Sequence, residues 1–441
     1  MPRKSSNHPR GRTSLRVPEE ILRQIDKCLQ LSGKSCSRNT WIESAIGEKL
    51  VREEQAPYLT GKSREILSYY EFFAGGGMAR MGLGLDWQCT FANDIDEKKA
   101  KAYGINWGVD ELMVRDIQQV KSPQLPGRSS LAWASFPCQD LSVAGRGAGL
   151  AGERSGTFWG FWKLMRKLAR EQRSPDIIVL ENVAGAISSD GGRDFLAILN
   201  ALSSENYDFG PLVIDAALFL PQSRPRLFIV AVRSEGLILP DSTRTCPQRP
   251  FHTEALEDAF DQAPAAIRKR WHWWKLPRPP ERTSVLSDLI EGHPIGVEWH
   301  TAAETGKLLA MMSPVNRRKI EAAKLSGRRS VGALYKRTRN GVQRAEVRFD
   351  DNAGCLRTPG GGSSRQTLII VEGESVRSRL LSPREAARLM GLPDSYQLPS
   401  NYNDAYHLVG DGLVVPVVSH LTAHLLTPLA RLRLARNTIA A

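Results

Sequence analysis

The chain has 441 residues, 41% hydrophobic and 24% charged, with a net charge of +13. Length and composition suit two or three domains with ordinary buried cores, so most of the chain can fold. No run of about eighteen apolar residues is seen and no apolar stretch follows the basic N-terminus, so neither a membrane span nor a secretory signal is expected. The expected compartment is the cytosol. Excess Lys and Arg point to a polyanionic partner, because they neutralise phosphates and release counterions. Six cysteines (Cys28, Cys36, Cys89, Cys138, Cys246, Cys355) lie scattered without a C-x-x-C pair. That argues against a disulfide framework or a zinc site, and no metal is expected.

In chain order, residues 1–11 are polar, basic and broken by Pro2, Pro9 and Gly11, a composition that does not fold alone. Arg12 to Val17 alternates, with Leu15 and Val17 on one face and Arg12, Ser14 and Arg16 on the other, which predicts a short strand. Pro18 suits a first helical turn, and Ile21, Leu22, Ile25 and Leu29 form its apolar stripe until Gly33. Ser37 can cap a second helix carrying Trp41, Ile42, Ala45, Ile46 and Leu50. Pro57 and Gly61 mark a linker.

From Leu67 to Arg233 short apolar runs (SYYEFFAG, CTFAND, LAWASF, DIIVLEN, RLFIVAV) alternate with helical patterns. Such alternation predicts βαβ units, an α/β fold and a mostly parallel sheet. Between residues 234 and 354 periodicity weakens while prolines and basic residues accumulate around RKRWHWWKLPRPPERTS, which reads as a separate, irregular module. Residues 376–435 return to clear helices. The expected boundaries are 1–56, a linker 57–66, 67–234, 235–353 and 354–441.

The chemistry sits at the ends of the predicted strands. The first runs into Phe72-Phe73-Ala74-Gly75-Gly76-Gly77, where glycines let backbone N–H groups approach a ligand. Asp94 ends the next strand and is placed for ribose hydroxyls, and Asp116 could reach an adenine amino group. Together they suit an adenosine-containing cofactor. Cys138 follows the LAWASF strand in a Pro-fixed turn, where α/β enzymes place catalytic groups; a small buried apolar residue is the plain alternative. Glu181 stands at the mouth of an apolar strand, a costly place for a charge without a role. Arg224 and Arg226 enter the last strand and suit an anion or a carbonyl.

In order and spacing these pieces resemble the DNA cytosine-5 methyltransferase family: F-x-G-x-G, the ribose acid, P-C-Q, E-N-V and Q-x-R-x-R. Leu381 to Tyr396 and the closing segment Tyr406 to Pro416 add to it, so the resemblance covers roughly 67–233 and 354–425. It implies a Rossmann-like fold binding S-adenosylmethionine through Phe73, Gly75, Gly77, Asp94, Ile95, Asp116, Ile117, Pro137 and Asp411, with Phe158 packing nearby. It implies Cys138 as the nucleophile attacking cytosine C6, and Glu181 on N3 and the exocyclic amine. Arg226 would hold the carbonyl, with Arg224 nearby on Glu181 or a phosphate. Gln139 would contact the double-stranded DNA. One departure is Gly410-Asp411, where the family usually has Gly-Asn. Residues 235–353 correspond to the small target-recognition domain, with Arg317, Arg318, Lys336, Arg337 and Arg348 as candidate DNA contacts. A tRNA-modifying branch shares these motifs, but the basic recognition segment weighs against an RNA substrate.

The N-terminal strand–helix–helix resembles a ribbon–helix–helix DNA-binding domain, with Arg12, Ser14 and Arg16 facing bases. That implies a homodimer through this segment and repression of its own operon; a helical appendage is the alternative. A cognate restriction endonuclease would be a functional, not a physical, partner. The expected setting is a bacterial or phage-encoded, nucleoid-associated protein.

Overall fold

The computed structural model describes residues 22–23, 25–26, 66–137, 156–234, 242–339, 341–356 and 365–440, with 339 and 436–440 by backbone only. Contacts divide the chain into residues 1–65 and 66–441. In the first unit residues 22–23 and 25–26 are helical and Ile25 is buried, inside the first helix expected. The expected strand 12–17 and the Ser37-capped helix lie outside the described residues.

The second unit is built on a seven-stranded sheet of β1 Leu67–Phe72, β2 Trp87–Asp94, β3 Leu112–Val114, β4 Leu131–Ala134, β5 Ile177–Val183, β6 Tyr207–Asp215 and β7 Pro225–Arg233. Their order is β3-β2-β1-β4-β5-β7-β6, parallel except at β7, which runs antiparallel to β5 and β6. Strands at the centre are apolar on both faces because both are covered: β4 (LAWA) is buried throughout. Alternation divides β1 accordingly. Leu67 and Tyr69 join a core with the C-terminal helices, and Tyr70 and Phe72 join one with α3 Thr157–Arg170.

On the first face lie α1 Met78–Leu83, α9 Tyr402–Asp411 and α10 Val415–Leu421; Gly82 is required there, since a Cβ would stand 2.4 Å from Val418. The helical run Tyr402–Ala435 is long and apolar enough to cross a bilayer, but 61% of its most apolar window is buried inside the protein. It is a core element. Helix α2 Glu97–Trp107 follows β2, capped by Asp96, and α4 Arg193–Ser204 follows β5.

Two strands went unseen in the sequence reading. β3 is three residues long, and β6 (YDFGPLVID) carries a Gly and a Pro that disguise it. Both are terminal in the sheet order, where Pro is tolerated. Gly210 is needed because a Cβ would lie 2.3 Å from the carbonyl of His272.

The region after residue 242 corrects the expectation of an irregular module. The WHWW run does not stand apart: β9 Trp273–Trp274 pairs antiparallel with β8 Thr243–Arg244, with α5 Glu254–Gln262 between them in the chain. Trp271, Trp273 and Trp274 are buried in the two cores of the main sheet, and Phe209 N–H donates to Arg270 O (2.9 Å), sealing the β6 edge. Further on, α6 Ala302–Ala310 and α7 Pro314–Leu325 pack on an antiparallel sheet of β10 Ser330–Arg339, β11 Val342–Arg348, β12 Thr367–Glu372 and β13 Ser375–Leu380, ordered β11-β10-β12-β13. The expected boundary at 353/354 therefore falls inside one sheet. β13 is fastened to α8 Pro383–Leu389 by a fully buried bidentate pair, Arg379 to Glu385 at 2.6 and 2.7 Å.

Candidate functional site

The chain runs from β1 outward to β2 and β3, then returns to place β4 on the other side of β1. Such a switch opens a crevice at the carboxyl ends of the strands, where the helices diverge. Among the described residues the motifs at the strand ends meet there, in two adjoining parts.

The first part is the glycine turn after β1. Phe73 (φ 58°), Gly75 (φ 55°) and Gly77 (φ 76°) have left-handed backbones, a strain tolerated at ligand-binding turns and natural only for the glycines. A Cβ on Gly77 would stand 2.3 Å from Trp107 Nε1, while the carbonyl of Gly76 accepts from Trp107 Nε1 (3.0 Å) and Tyr396 Oη (2.8 Å). Asp94 is buried and accepts from Gly75 N–H (2.7 Å) and Asp96 N–H (2.8 Å), so it shapes the turn. Each carboxylate oxygen retains a second lone pair for a ribose hydroxyl.

Ile95, 65% exposed at the mouth, offers an apolar surface to an adenine ring. Asp116 accepts from Gln118 N–H (2.9 Å) just beyond β3. Ile117 and Phe158 are core residues, Phe158 being 0% exposed and packed on Phe136 and Trp162. They belong to the core under the crevice, Phe158 packing as expected rather than facing it. Glycines against a Trp, an acid at the second strand end and an exposed apolar side chain fit an adenosine-type cofactor. Asp411 ends α9 and is paired with Lys99 Nζ at 2.7 Å.

The second part joins β4, β5 and β7. Because β7 is antiparallel, its first residues lie at the same end of the sheet as the last of β5: Val183 is register partner of Arg226. Arg226 Nε then stands 3.4 Å from Glu181 Oε1. Glu181 is 8% exposed; burial raises its proton affinity, against the pull of Arg226, Arg224 and a Ser135 hydrogen bond. Asn182 Nδ2 donates to Phe136 O (3.2 Å), tying β5 to the turn after β4. Pro137 is exposed there. Cys138 and Gln139, next in the chain, lie outside the described residues.

Arg224 requires a correction. It is 3% exposed and donates to the carbonyls of Leu356 (2.9 Å), Gly410 (2.8 Å) and Gly412 (2.8 Å). A phosphate cannot reach it; it is an internal clamp on the C-terminal segment. Sequence reasoning missed Cys355, whose Sγ lies 3.5 Å from Arg224 Nη1 and 3.8 Å from Arg226 Nη2, and Ser135 beside Glu181. Neither carries a local signal, since both are ordinary small residues until the fold gathers them.

Of the proposed DNA contacts, Arg317 and Arg318 are exposed on α7, and Arg317 also donates to Ala310 O (3.0 Å). Lys336 and Arg337 lie on β10, with the Arg337 guanidinium 4.8 Å over the Tyr335 ring. From Arg337 to Arg344 the described residues of the β10–β11 ribbon are exposed on both strands, and Arg337 is the direct register partner of Arg344. Arg348 differs. It forms a bidentate pair with Asp350, Nε to Oδ1 at 2.7 Å, so its charge is matched within the protein. Arg12, Ser14 and Arg16 lie outside the described residues.

Comparison with known proteins bears on this crevice. The profile of the family described as C-5 cytosine-specific DNA methylase matches residues 67–427. The chain is 26% identical over 409 residues to Type II methyltransferase M.HpaII of Haemophilus parainfluenzae, covering 88% of this chain and 96% of that protein. It is 25% identical over 360 residues to Type II methyltransferase M.HhaI of Haemophilus parahaemolyticus, covering 80% and 93%. Among solved structures, the S. pombe Dnmt2 methyltransferase matches with a TM-score of 0.53 at 17% identity, over 82% of this chain and 99% of that one, a likeness of fold.

Proposed function

The chain belongs to the C-5 cytosine-specific DNA methylase family; it is a DNA cytosine-5 methyltransferase that uses S-adenosylmethionine, and on that premise we propose that a flipped-out cytosine is held between Glu181 and Arg226 and attacked by Cys138. The observation that carries this reading is the pairing of buried Glu181 with half-buried Arg226 at the sheet end where the chain leads to Cys138. C5 of cytosine is a poor nucleophile within an intact aromatic ring. Addition of the Cys138 thiolate to C6 breaks the aromaticity, and the electron pair moves onto C5 and N3. Glu181, whose carboxyl holds its proton more tightly than an ordinary one, donates to N3 as charge develops there. Arg226 donates to the ring carbonyl and braces Glu181. When bound, the cofactor supplies an electrophilic methyl group on a sulfonium. A base then removes the C5 proton, the C6–S bond breaks and the thiolate is regenerated. Flipping the base out costs a few kcal/mol, which contacts to the displaced nucleotide must offset.

Phe73, Gly75, Gly77, Asp94, Ile95 and Asp116 would hold the cofactor, with Asp411 at the edge of its site. The basic ribbon and α7 would meet DNA, Arg317, Arg318, Lys336 and Arg337 among the contacts. We also propose that the enzyme modifies the site of a restriction–modification system, as the names of its relatives suggest. In this reading residues 1–56 form a ribbon–helix–helix unit that pairs two chains and allows autoregulation. The isolated segment should then dimerise and bind a defined duplex with steep salt dependence. A monomer in the ultracentrifuge would leave it a helical appendage.

DNA bearing 5-fluorocytosine tests the chemistry, because fluorine does not leave as a proton does. The intact protein should form a covalent adduct and Cys138→Ser none. An adduct with Cys138→Ser, or methylation within about tenfold of the intact enzyme, would remove Cys138 as the nucleophile.

A further inference from the structure

Helix α2 and helix α9 come from opposite ends of the second unit and are joined by two ion pairs. Lys98 meets Asp404 at 2.8 Å near the start of α9, and Lys99 meets Asp411 at 2.7 Å at its end. The first is a surface pair, its lysine 72% exposed, of the kind that contributes little. In the second the lysine is largely enclosed, 22% exposed, while Asp411 is 44% exposed. Burial opposes the charge of Lys99, yet Asp411, then Asp94 and Asp96, hold its ammonium protonated.

Asp411 also lies within a strap that the rest of the site holds from both sides. Arg224 Nη2 donates to the carbonyls of Gly410 and Gly412 at 2.8 Å each. Gly412 presses so closely on Met78, the residue after the glycine turn, that a Cβ would stand 2.2 Å from its sulfur. The strap therefore runs between the clamp of the target-base end and the turn of the cofactor end. A carboxylate at 411 adds to the negative charge that Asp94 and Asp96 already set around Lys99, in a site that would take a cofactor whose amino-acid end carries its own carboxylate.

We propose that Lys99 is a positioning residue of the cofactor site: it cancels the charge of Asp411 and fixes the 410–412 strap against the glycine turn. The two positions work as one unit, an ion pair standing where a single neutral amide would suffice. Removing only the lysine leaves an uncompensated carboxylate among two others. Removing both charges together leaves an asparagine that can hydrogen-bond without a counter-ion. This role rests on the cofactor reading above, and its test separates the two.

The test is calorimetric titration of S-adenosylhomocysteine into the full chain, which needs no turnover. Lys99→Met should weaken binding by about tenfold or more, as expected for an unpaired, partly buried charge. Lys99→Met with Asp411→Asn should return to within about threefold of the unchanged protein, a non-additivity that only coupled neighbours give. Additive losses, or an unchanged affinity in Lys99→Met, would overturn the role. Should Lys99→Met fail to fold, the double variant is compared with Asp411→Asn alone. It should bind at least as tightly; a loss of about tenfold relative to that single variant would overturn the role. Asp94→Ala serves as the separate arm. If it leaves affinity unchanged, the cofactor site itself is misplaced and the role of Lys99 falls with it; if it weakens binding while the double variant is not rescued, only the role of Lys99 falls.

Discussion

Glu181 and Arg226 at the end of the main sheet, and Arg337 and Arg344 on the β10–β11 ribbon, are charged side chains in opposite surroundings. Glu181 is buried and Arg226 half-buried, each held by the other, in a medium where charges interact more strongly than in water. The second pair is exposed, and its members face each other directly across the ribbon, an arrangement of like charges that weakens a sheet. Chemistry on a base needs groups positioned before the substrate arrives, so its charges are fixed and interdependent. Phosphate attraction needs only charge density, so its contributors are solvated and individually dispensable. The two regions should therefore fail differently.

The largest loss is expected at the buried end. Glu181→Gln keeps the shape and removes the proton donor, so turnover should fall by about a hundredfold or more while S-adenosylhomocysteine still binds. Loss of cofactor affinity instead would make Glu181 structural. Because burial raises its proton affinity, the protonated form persists to higher pH than in an ordinary carboxyl. The decline of kcat/KM as pH rises should accordingly begin above the usual carboxylate range and disappear in the variant.

Arg224→Met probes the same end through stability. It strands three carbonyls that the clamp now satisfies, and should cost roughly 2–4 kcal/mol, measured as a lower urea midpoint. A midpoint unchanged while DNA affinity drops would mean that Arg224 meets DNA after all.

At the exposed end, Arg337→Ala with Arg344→Ala should weaken DNA binding several-fold and lower the salt slope by about two, leaving turnover at saturating DNA intact. Relief of the like-charge pair and loss of the Arg337–Glu346 ion pair should nearly cancel, leaving stability within about 0.5 kcal/mol. Weaker folding with unchanged DNA affinity would contradict the contrast between the regions.

A separate effect, on the pH dependence of stability, concerns Glu71, buried in β1 below the glycine turn, where burial pushes its carboxyl up to about 8. Between about 4.3, the ordinary carboxyl value, and that point the folded protein keeps a proton that the unfolded chain has released. Stability should thus fall as pH rises through this window and level off above it. Glu71→Gln should flatten that slope, read from urea midpoints at pH 5 and pH 8. An unaltered slope would assign it to other groups.

Much of the catalytic end was legible beforehand. A glycine turn, an acid closing an apolar strand and a cysteine after Pro137 all carry their cost or their freedom locally, so they stand out from neighbours alone. The four-stranded antiparallel sheet was less visible, although its signal was present: Asn-Gly at positions 340 and 341 between alternating runs is a sequence signature of a hairpin, obscured by the Arg and Lys around it. The tryptophans of WHWW were misassigned because their alternation says only that they are buried, not against which sheet.

The sequence by itself determined the strand-end placement of the motifs, which rests on backbone conformation or on a charge set in an apolar run, and the resemblance those motifs carry gave the family, the reaction and the cofactor. Only the tertiary structure decided that β7 runs antiparallel and brings Arg226 to Glu181. It also decided that Arg224 is an internal clamp and that Lys99 answers Asp411, 312 residues further along the chain. Those outcomes depend on which distant segments share a low-dielectric interior. A pairing of that kind has no energy until the chain has folded, and so leaves no mark on the residues beside it in sequence.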